Sequence, residues 1–388
     1  MDTKKLTFEF TAHTYDRFPV EIVGGSGCHL TDETGKTYID LGSGIAVNSL
    51  GMAFKEWQDA VIGQILRFQH CSNLYYSAPC AKLAEMLCAR TGYKKVFFAN
   101  SGAEANECAI KAARRFSFLK HNDENHGTVI TLKNGFHGRT ITTLSATGQD
   151  SLKTGFGPLT PGFVHADPED ASSVRRFAEK GDCAAVMIEL IQGEGGINVL
   201  TPGFVAEIVS IAKEFDLLVI ADEIQTGNGR TGKLFSYMHY GFVPDIVTTA
   251  KGLAGGLPLG AVLLGEKVKD VFSPGTHGST FGGNPIACAG AISVLSALTD
   301  ELLAGVTKRQ KLIVDALSDA PGVSEISGMG LMLGISCARP AKEIIAQCIE
   351  NGVLVLSAKE KVRLLPPLNI PIDDLMKAVN VLKEALAG

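Results

Sequence analysis

Long apolar runs are missing from this chain. No uninterrupted apolar stretch in its 388 residues approaches the roughly 20 needed to cross a bilayer. The opening Met1-Asp2-Thr3-Lys4-Lys5 leads into polar residues, so no signal peptide is expected. Neither charge sign is in excess. The chain has 36 Lys and Arg against 41 Asp and Glu, for a net −5, which leaves no basic footprint for nucleic acid or an anionic membrane. Nine cysteines are scattered singly, with no C-x-x-C pair and no metal-ligand spacing. Reduced thiols packed as small hydrophobes, no bound metal and a cytoplasmic location are therefore expected. Internal repeats, low-complexity tracts and flexible linkers are also lacking. What is present is 45% hydrophobic content, enough for a substantial core in two domains.

Between about residues 95 and 265, β-type apolar runs alternate with amphipathic segments. Strands are expected at 95–99, 128–133, 184–190, 217–222, 246–250 and 261–264, with helices at 104–118 and 202–215. This alternation predicts an α/β fold with a mostly parallel sheet covered on both faces, and ligands beyond the carboxyl ends of its strands. After about residue 285 the pattern changes to long helices at 285–298 and 301–320, then short strands and a closing helix from Asp373. The first 45 residues read as hairpin structure around the turn Asp32-Glu33-Thr34-Gly35-Lys36. The expected division is a large domain over 46–284 and a smaller α+β domain built from 1–45 and 285–388.

Two strand ends carry conspicuous charges. The run 217–221 delivers Asp222, and the run ending at Ala250 delivers Lys251 into a Gly-rich loop. A buried carboxylate and a buried amine are costly unless paired or used. Either they form a salt bridge, or they serve pyridoxal 5'-phosphate (PLP), which needs a Lys for covalent attachment and an Asp opposite its pyridinium nitrogen. Asn100-Ser101-Gly102-Ala103 joins a strand to a helix N-terminus and makes a phosphate cup, or an ordinary Ser cap. The cup has neither a G-x-x-x-x-G-K-[ST] nor a G-x-G-x-x-G pattern, which argues against nucleoside triphosphates and dinucleotides. Phe136 and Arg139, in Gly135-Phe136-His137-Gly138-Arg139-Thr140, can stack on a planar cofactor and fork a carboxylate. His137 receives no chemical role. Glu194, in Gln192-Gly193-Glu194-Gly195-Gly196, sits on a strand-end loop. Ser279 and Thr280 precede a long helix, and Arg363 lies in an apolar strand where it needs an anionic partner.

In this order S-G-A-E-A-N, G-F-H-G-R-T, Q-G-E-G-G, A-D-E-I-Q-T-G, A-K-G and S-T-F-G-G-N-P resemble a class III (ω-) aminotransferase of PLP fold type I, across essentially the whole chain. Gly44-Ile45-Ala46-Val47-Asn48-Ser49-Leu50-Gly51 and the compact length resemble its acetylornithine branch. Ornithine, succinylornithine, succinyldiaminopimelate and 4-aminobutyrate aminotransferases share most of these motifs, and an aminomutase shares the fold. The segment Met52-Ala53-Phe54-Lys55 departs from the family's usual His-x-His-Pro-like continuation. The resemblance implies that Lys251 binds PLP and Asp222 meets its ring nitrogen, with Phe136 and Ile224 on the two ring faces. Gln225 would contact the 3-oxygen, and Glu223 would stand among the cofactor contacts. Ser101, Gly102 and Ala103 would hold the phosphate together with Thr280 from a second subunit, which implies a homodimer with shared sites. Arg139 and Arg363 would bind carboxylates, and Tyr15 and Ser279 would line the substrate site. Glu194 would mask Arg363 for an ω-amine donor and release it for 2-oxoglutarate.

Overall fold

A computed structural model of the chain describes residues 2–388. Three N-terminal strands, β1 (Ile22–Ser26), β2 (His29–Asp32) and β3 (Thr37–Asp40), form an antiparallel meander. Its β2–β3 turn is set by the Asp32 side chain, whose Oδ1 accepts the amides of Thr34 (2.9 Å) and Lys36 (3.0 Å). The central sheet follows with β4 (Lys95–Ala99), β5 (Thr128–Leu132), β6 (Phe163–Ala166) and β7 (Cys183–Ile188). A two-residue hairpin, β8 (Ile191–Gln192) and β9 (Asn198–Val199), stands outside it. The sheet resumes with β10 (Leu218–Asp222), β11 (Ile246–Thr249) and β12 (Gly260–Leu264). Its order is β4-β12-β11-β10-β7-β5-β6, and only β12 runs against its neighbours. Every residue of β5, β7, β10, β11 and β12 is buried, as a sheet covered on both faces demands. The helix Gly102–His121 lies close on one face because it presents small residues there: Ala105, Cys108, Ala109, Ala112 and Ala113.

The C-terminal region adds β13 (Val323–Met329), β14 (Met332–Cys337), β15 (Val353–Leu354), β16 (Leu356–Ala358) and β17 (Lys361–Leu364). Four of these form the sheet β13-β14-β17-β16, while β15 pairs parallel with β3, Val353 opposite Ile39. Both chain ends thus share one sheet. Three differences from the sequence reading stand out. Residues Thr3–Phe10 form a helix, capped by Asp2 through the amide of Lys5 (2.9 Å), where hairpin structure was expected. Strand β6 was not foreseen, because a four-residue edge strand with three half-buried positions carries no long apolar run. The helix Pro285–Ala297, assigned above to the small domain, packs on the helices Lys55–Ile65 and Ala78–Thr91 ahead of the central sheet. Among the described residues no single helix is long and apolar enough to cross a membrane.

Gly227, Gly229 and Gly232 have G-x-G-x-x-G spacing but open no helix. Gly229 (φ 89°) and Gly232 (φ 86°) instead turn the chain so that Arg230 points inward. Its side chain is 1% exposed and donates to the carbonyls of Leu331 and Pro366. That link ties the loop after β10 to both edges of the segment carrying β17. Arg230→Ala should strip two buried carbonyls of their donor and leave a void, lowering unfolding free energy by about 3 kcal/mol or more. Urea denaturation checks this; a loss below about 1 kcal/mol would show the link to be dispensable.

Candidate active site

The central sheet delivers its charged residues to one cavity of about 580 Å³. Ser101, Gly102, Ala103, Phe136, Arg139, Asp222, Ile224, Gln225 and Lys251 all line it, as does exposed Tyr15 at the rim. Asp222 ends β10 with 5% exposure. Its Oδ2 accepts from Asn106 Nδ2 and His137 Nδ1, both at 2.8 Å, and its Oδ1 accepts the amide of Ile224 at 3.1 Å. Asp222 therefore pairs with His137, and among the described residues Lys251 makes no salt bridge. Burial works against a charge on His137, but the hydrogen bond and charge of Asp222 overcome it and raise the imidazole above its usual range. His137 lines the cavity wall, a role its sequence context gave no sign of.

Lys251 follows β11 in a left-handed conformation (φ 41°) that a non-glycine residue seldom adopts. Such strain collects at functional sites. Arg363 on β17 is 4% exposed and its Nη1 lies 2.6 Å from Glu194 Oε1; neither residue is part of the cavity lining, but the charges of both act on Lys251. Gln225 braces the pair. Its Nε2 donates to Glu194 (3.3 Å) and its Oε1 accepts from Arg363 (3.2 Å), so both ends of the amide are engaged. Burial disfavours the Glu194 charge, yet Arg363 outweighs this and lowers its carboxyl below the usual range. The Arg363 Nε is buried without a partner.

At the cup, Ser101 is the ordinary cap: its Oγ accepts the amide of Glu104 (3.2 Å), and Glu104 returns to the amide of Asn100 (2.9 Å). The amides of Gly102 and Ala103, in the first helical turn, have no intrahelical acceptor and border the cavity. A Cβ at Gly102 would lie 2.8 Å from the Ile224 side chain, so only glycine admits this approach. Phe136 turns one face to the cavity wall, and the Arg139 guanidinium stands 5.6 Å from its ring centroid. A helix N-terminus for an anion, an aromatic side and an aliphatic side for a ring, and a buried carboxylate and amine fit PLP.

Several proposed residues lie elsewhere. Glu223 faces away from the cavity: its carboxylate accepts from Thr226 Oγ1, from the amide (2.9 Å) and Oγ (2.8 Å) of Ser236, and from the amide of Tyr237 (2.8 Å). It anchors the chain after β10 and contacts no cavity space, because adjacent residues at a strand end point to opposite sides. Ser279 stands behind Asn100, accepting from its Nδ2 at 3.1 Å, and does not reach the cavity wall. Thr280 is exposed and also outside the cavity of its own chain. Glu189, overlooked in the sequence, lines the cavity at the end of β7.

A family model described as aminotransferase class-III matches residues 10–386. The chain is 45% identical to an acetylornithine aminotransferase from Haemophilus ducreyi over 99% of its length and 98% of the relative's. With one from Bacillus subtilis the identity is 43%, over 96% and 97%. Among solved structures, an ornithine aminotransferase from Toxoplasma gondii with PLP partly occupying its active site superposes with a TM-score of 0.94 at 32% identity, covering 99% of this chain and 93% of that one. An N-acetylornithine aminotransferase from Stenotrophomonas maltophilia gives 0.86 at 34% identity, covering 99% and 98%.

The lysine yields a pH prediction. Burial, aided by the charge of Arg363, pushes Lys251 down from its usual 10.5 to about 8, against the pull of Glu194 and Asp222. The folded value is the lower one. Charging Lys251 therefore weakens the fold below about pH 8, and the penalty is relieved as pH rises from there toward 10.5. In the cofactor-free protein, competitive acetylation followed by mass spectrometry should show Lys251 reacting with a midpoint near 8. A midpoint like that of surface lysines contradicts this reading.

Proposed function

The chain belongs to the class-III aminotransferases, and we propose that it moves the δ-amino group of N2-acetyl-L-ornithine to 2-oxoglutarate. The products are N-acetylglutamate 5-semialdehyde and glutamate, within arginine biosynthesis. Besides the acetylornithine relatives, one contact carries this reading: the 2.6 Å pair of Glu194 and Arg363, joined to the cavity wall through Gln225. An ω-amine donor brings no carboxylate next to its reacting carbon, whereas 2-oxoglutarate does. With Glu194 on Arg363 the cavity suits the first substrate; with Glu194 displaced, Arg363 binds the second.

PLP, when bound, supplies an electron sink for the charge left when the substrate carbon loses its proton. The protein's own groups do the rest. Lys251 would hold the cofactor through Nζ, and as a free amine the same atom would take and return the substrate's proton. Asp222 keeps the ring nitrogen charged, and is itself held by Asn106 and His137. Phe136 and Ile224 confine the ring. The amides of Gly102 and Ala103 receive the phosphate, with Ser101 fixing the turn. Arg139 and Tyr15 at the mouth meet the far end of the substrate. Gln225 acts as a brace between Glu194 and Arg363, which supports a role in the switch more than a contact to the ring's oxygen.

The enzyme works as a cytoplasmic homodimer. Thr280 stands on an exposed loop away from its own cavity, so a phosphate contact by this residue requires a second subunit. The loop itself is held by Asn73, whose Nδ2 donates to the carbonyls of Ser279 (3.0 Å) and Gly282 (2.9 Å). A second reading, free ornithine as donor, is favoured by the close superposition on the Toxoplasma gondii enzyme.

A panel of amine donors with 2-oxoglutarate, reading glutamate formed, separates these readings, and acetylornithine should lead it. Glu194→Ala should raise the rate with glutamate relative to acetylornithine, and Arg363→Ala should damage the 2-oxoglutarate half-reaction more than the amine half-reaction. Both effects should be about tenfold or more, the worth of one charged hydrogen bond. Equal losses in both half-reactions would contradict the exchange. Reassociated mixtures of Thr280→Ala and Lys251→Ala subunits should regain sites of normal PLP affinity, since one site of each heterodimer carries neither defect. Mixtures that never regain such a site, or a fully active monomer by light scattering, would remove the shared site.

A further inference from the structure

One charged side chain in the cavity wall is left without a role. Glu189, the first residue beyond β7, is 7% exposed and lies between β10, which delivers Asp222, and β5, which leads to Phe136. Among the described residues it makes no salt bridge. Its two carboxylate oxygens are instead divided between two loops. Oε2 accepts the amide of Phe136 at 2.7 Å, and Oε1 accepts the amide of Gly193 at 3.2 Å. Leaving a carboxylate in such a place is costly, and the cost is tolerated where the group has work to do.

Other side chains also tie these loops, Gln192 Nε2 to the Lys133 carbonyl (2.8 Å) and Gln149 Nε2 to that of Asn134 (3.1 Å), but the amides of Phe136 and Gly193 are held by Glu189. Gly135 precedes Phe136, and a Cβ there would lie 2.9 Å from the carbonyl of Leu132. Gly193 precedes Glu194, and a Cβ there would lie 2.5 Å from the Gln225 amide. Close packing excludes larger residues at both points, and Glu189 reaches into both loops. The amide it grips in one loop belongs to the residue whose ring faces the cavity, and in the other to the residue next to Glu194.

We propose that Glu189 is a positioning residue that locks the Phe136 loop and the Gly193–Glu194 loop to each other, and thereby sets how readily Glu194 leaves Arg363. Choice between an ω-amine donor and an α-amino acid then depends on a residue that acts through two backbone amides. The inference rests on the donor exchange proposed above for Glu194 and Arg363.

The test uses Glu189→Gln, which keeps one acceptor oxygen of the right reach, and Glu189→Asp, which keeps the charge but is too short to span both amides. Amide hydrogen exchange by mass spectrometry, with and without PLP, should show faster exchange in peptides covering 133–139 and 191–196 in both variants, with β10 and the helix Gly102–His121 unchanged. In both holoenzymes the ratio of ω-amine to glutamate half-reaction rates should shift toward glutamate by about tenfold, the size of one lost charged hydrogen bond. Adding Glu194→Ala to Glu189→Gln should shift that ratio no further than Glu194→Ala alone, because both act on one step. Shifts that multiply, equal slowing of both half-reactions, or a wild-type ratio in Glu189→Asp would each overturn the proposal. If the wild-type enzyme shows no preference for ω-amines, the donor reading fails instead. The exchange data then decide alone: unchanged protection of the two loops overturns the coupling, and faster exchange in both sustains it.

Discussion

The site is organised around the buried carboxylate of Asp222. Its three donors come from different parts of the chain: Asn106 from the helix after β4, His137 from the loop after β5, and the Ile224 amide from its own strand end. Satisfying this one anion therefore fixes the helix whose N-terminus forms the phosphate cup, the loop that carries Phe136, and the aliphatic face opposite it. Asn106 also donates to the His137 carbonyl at 2.7 Å, which closes the arrangement without further charge. A salt bridge to Lys251 would have satisfied Asp222 as well, but it would have consumed the nucleophile. Pairing with imidazole leaves the amine free and depressed toward neutrality.

The cationic side follows a different rule, because the proposed donor exchange requires its ion pair to break. Arg363 is 5% exposed at its side chain and stands in the middle strands of a sheet, whereas Glu194 is 33% exposed and sits among Gly193, Gly195 and Gly196. Movement belongs to the glutamate. A substrate carboxylate can take its place because the guanidinium is fixed in advance and its Nε is unpartnered. Gln225 bonds to both members, so the arginine keeps one neutral partner when the glutamate swings away.

Sequence patterning was most informative where burial is complete. The strands that end in Asp222 and precede Lys251 are wholly buried runs, and a charge at the end of such a run is visible without coordinates. The same signature marks Glu189 after the six buried residues of β7, so it could have been found by the reasoning that found Asp222. Glu223 was named among the cofactor contacts, although the two-residue period of a strand places it on the side opposite Asp222. His137 had no comparable signal, since its role comes from a partner on another strand end. The helix Thr3–Phe10 has no buried residue, so no core-facing stripe announced it. Thr280 and Ser279 stand just before a long helix and took their specific roles from a resemblance; within one chain neither reaches the cavity.

Bringing Arg363 to Lys251 requires the C-terminal sheet to be held against the central one, and the chain uses polar links where a hydrophobic seam alone would permit sliding. The N-terminal meander takes β15 as a parallel strand, and Leu41 continues the link by donating its amide to Leu354 (2.8 Å) and accepting that of Leu365 (2.7 Å). Arg230 adds donors to the carbonyls of Leu331 and Pro366, next to the ends of β14 and β17. Hydrogen bonds impose register in a way that apolar contact does not. The position of a single guanidinium beside Glu194 is thus inherited from backbone pairing at both chain ends.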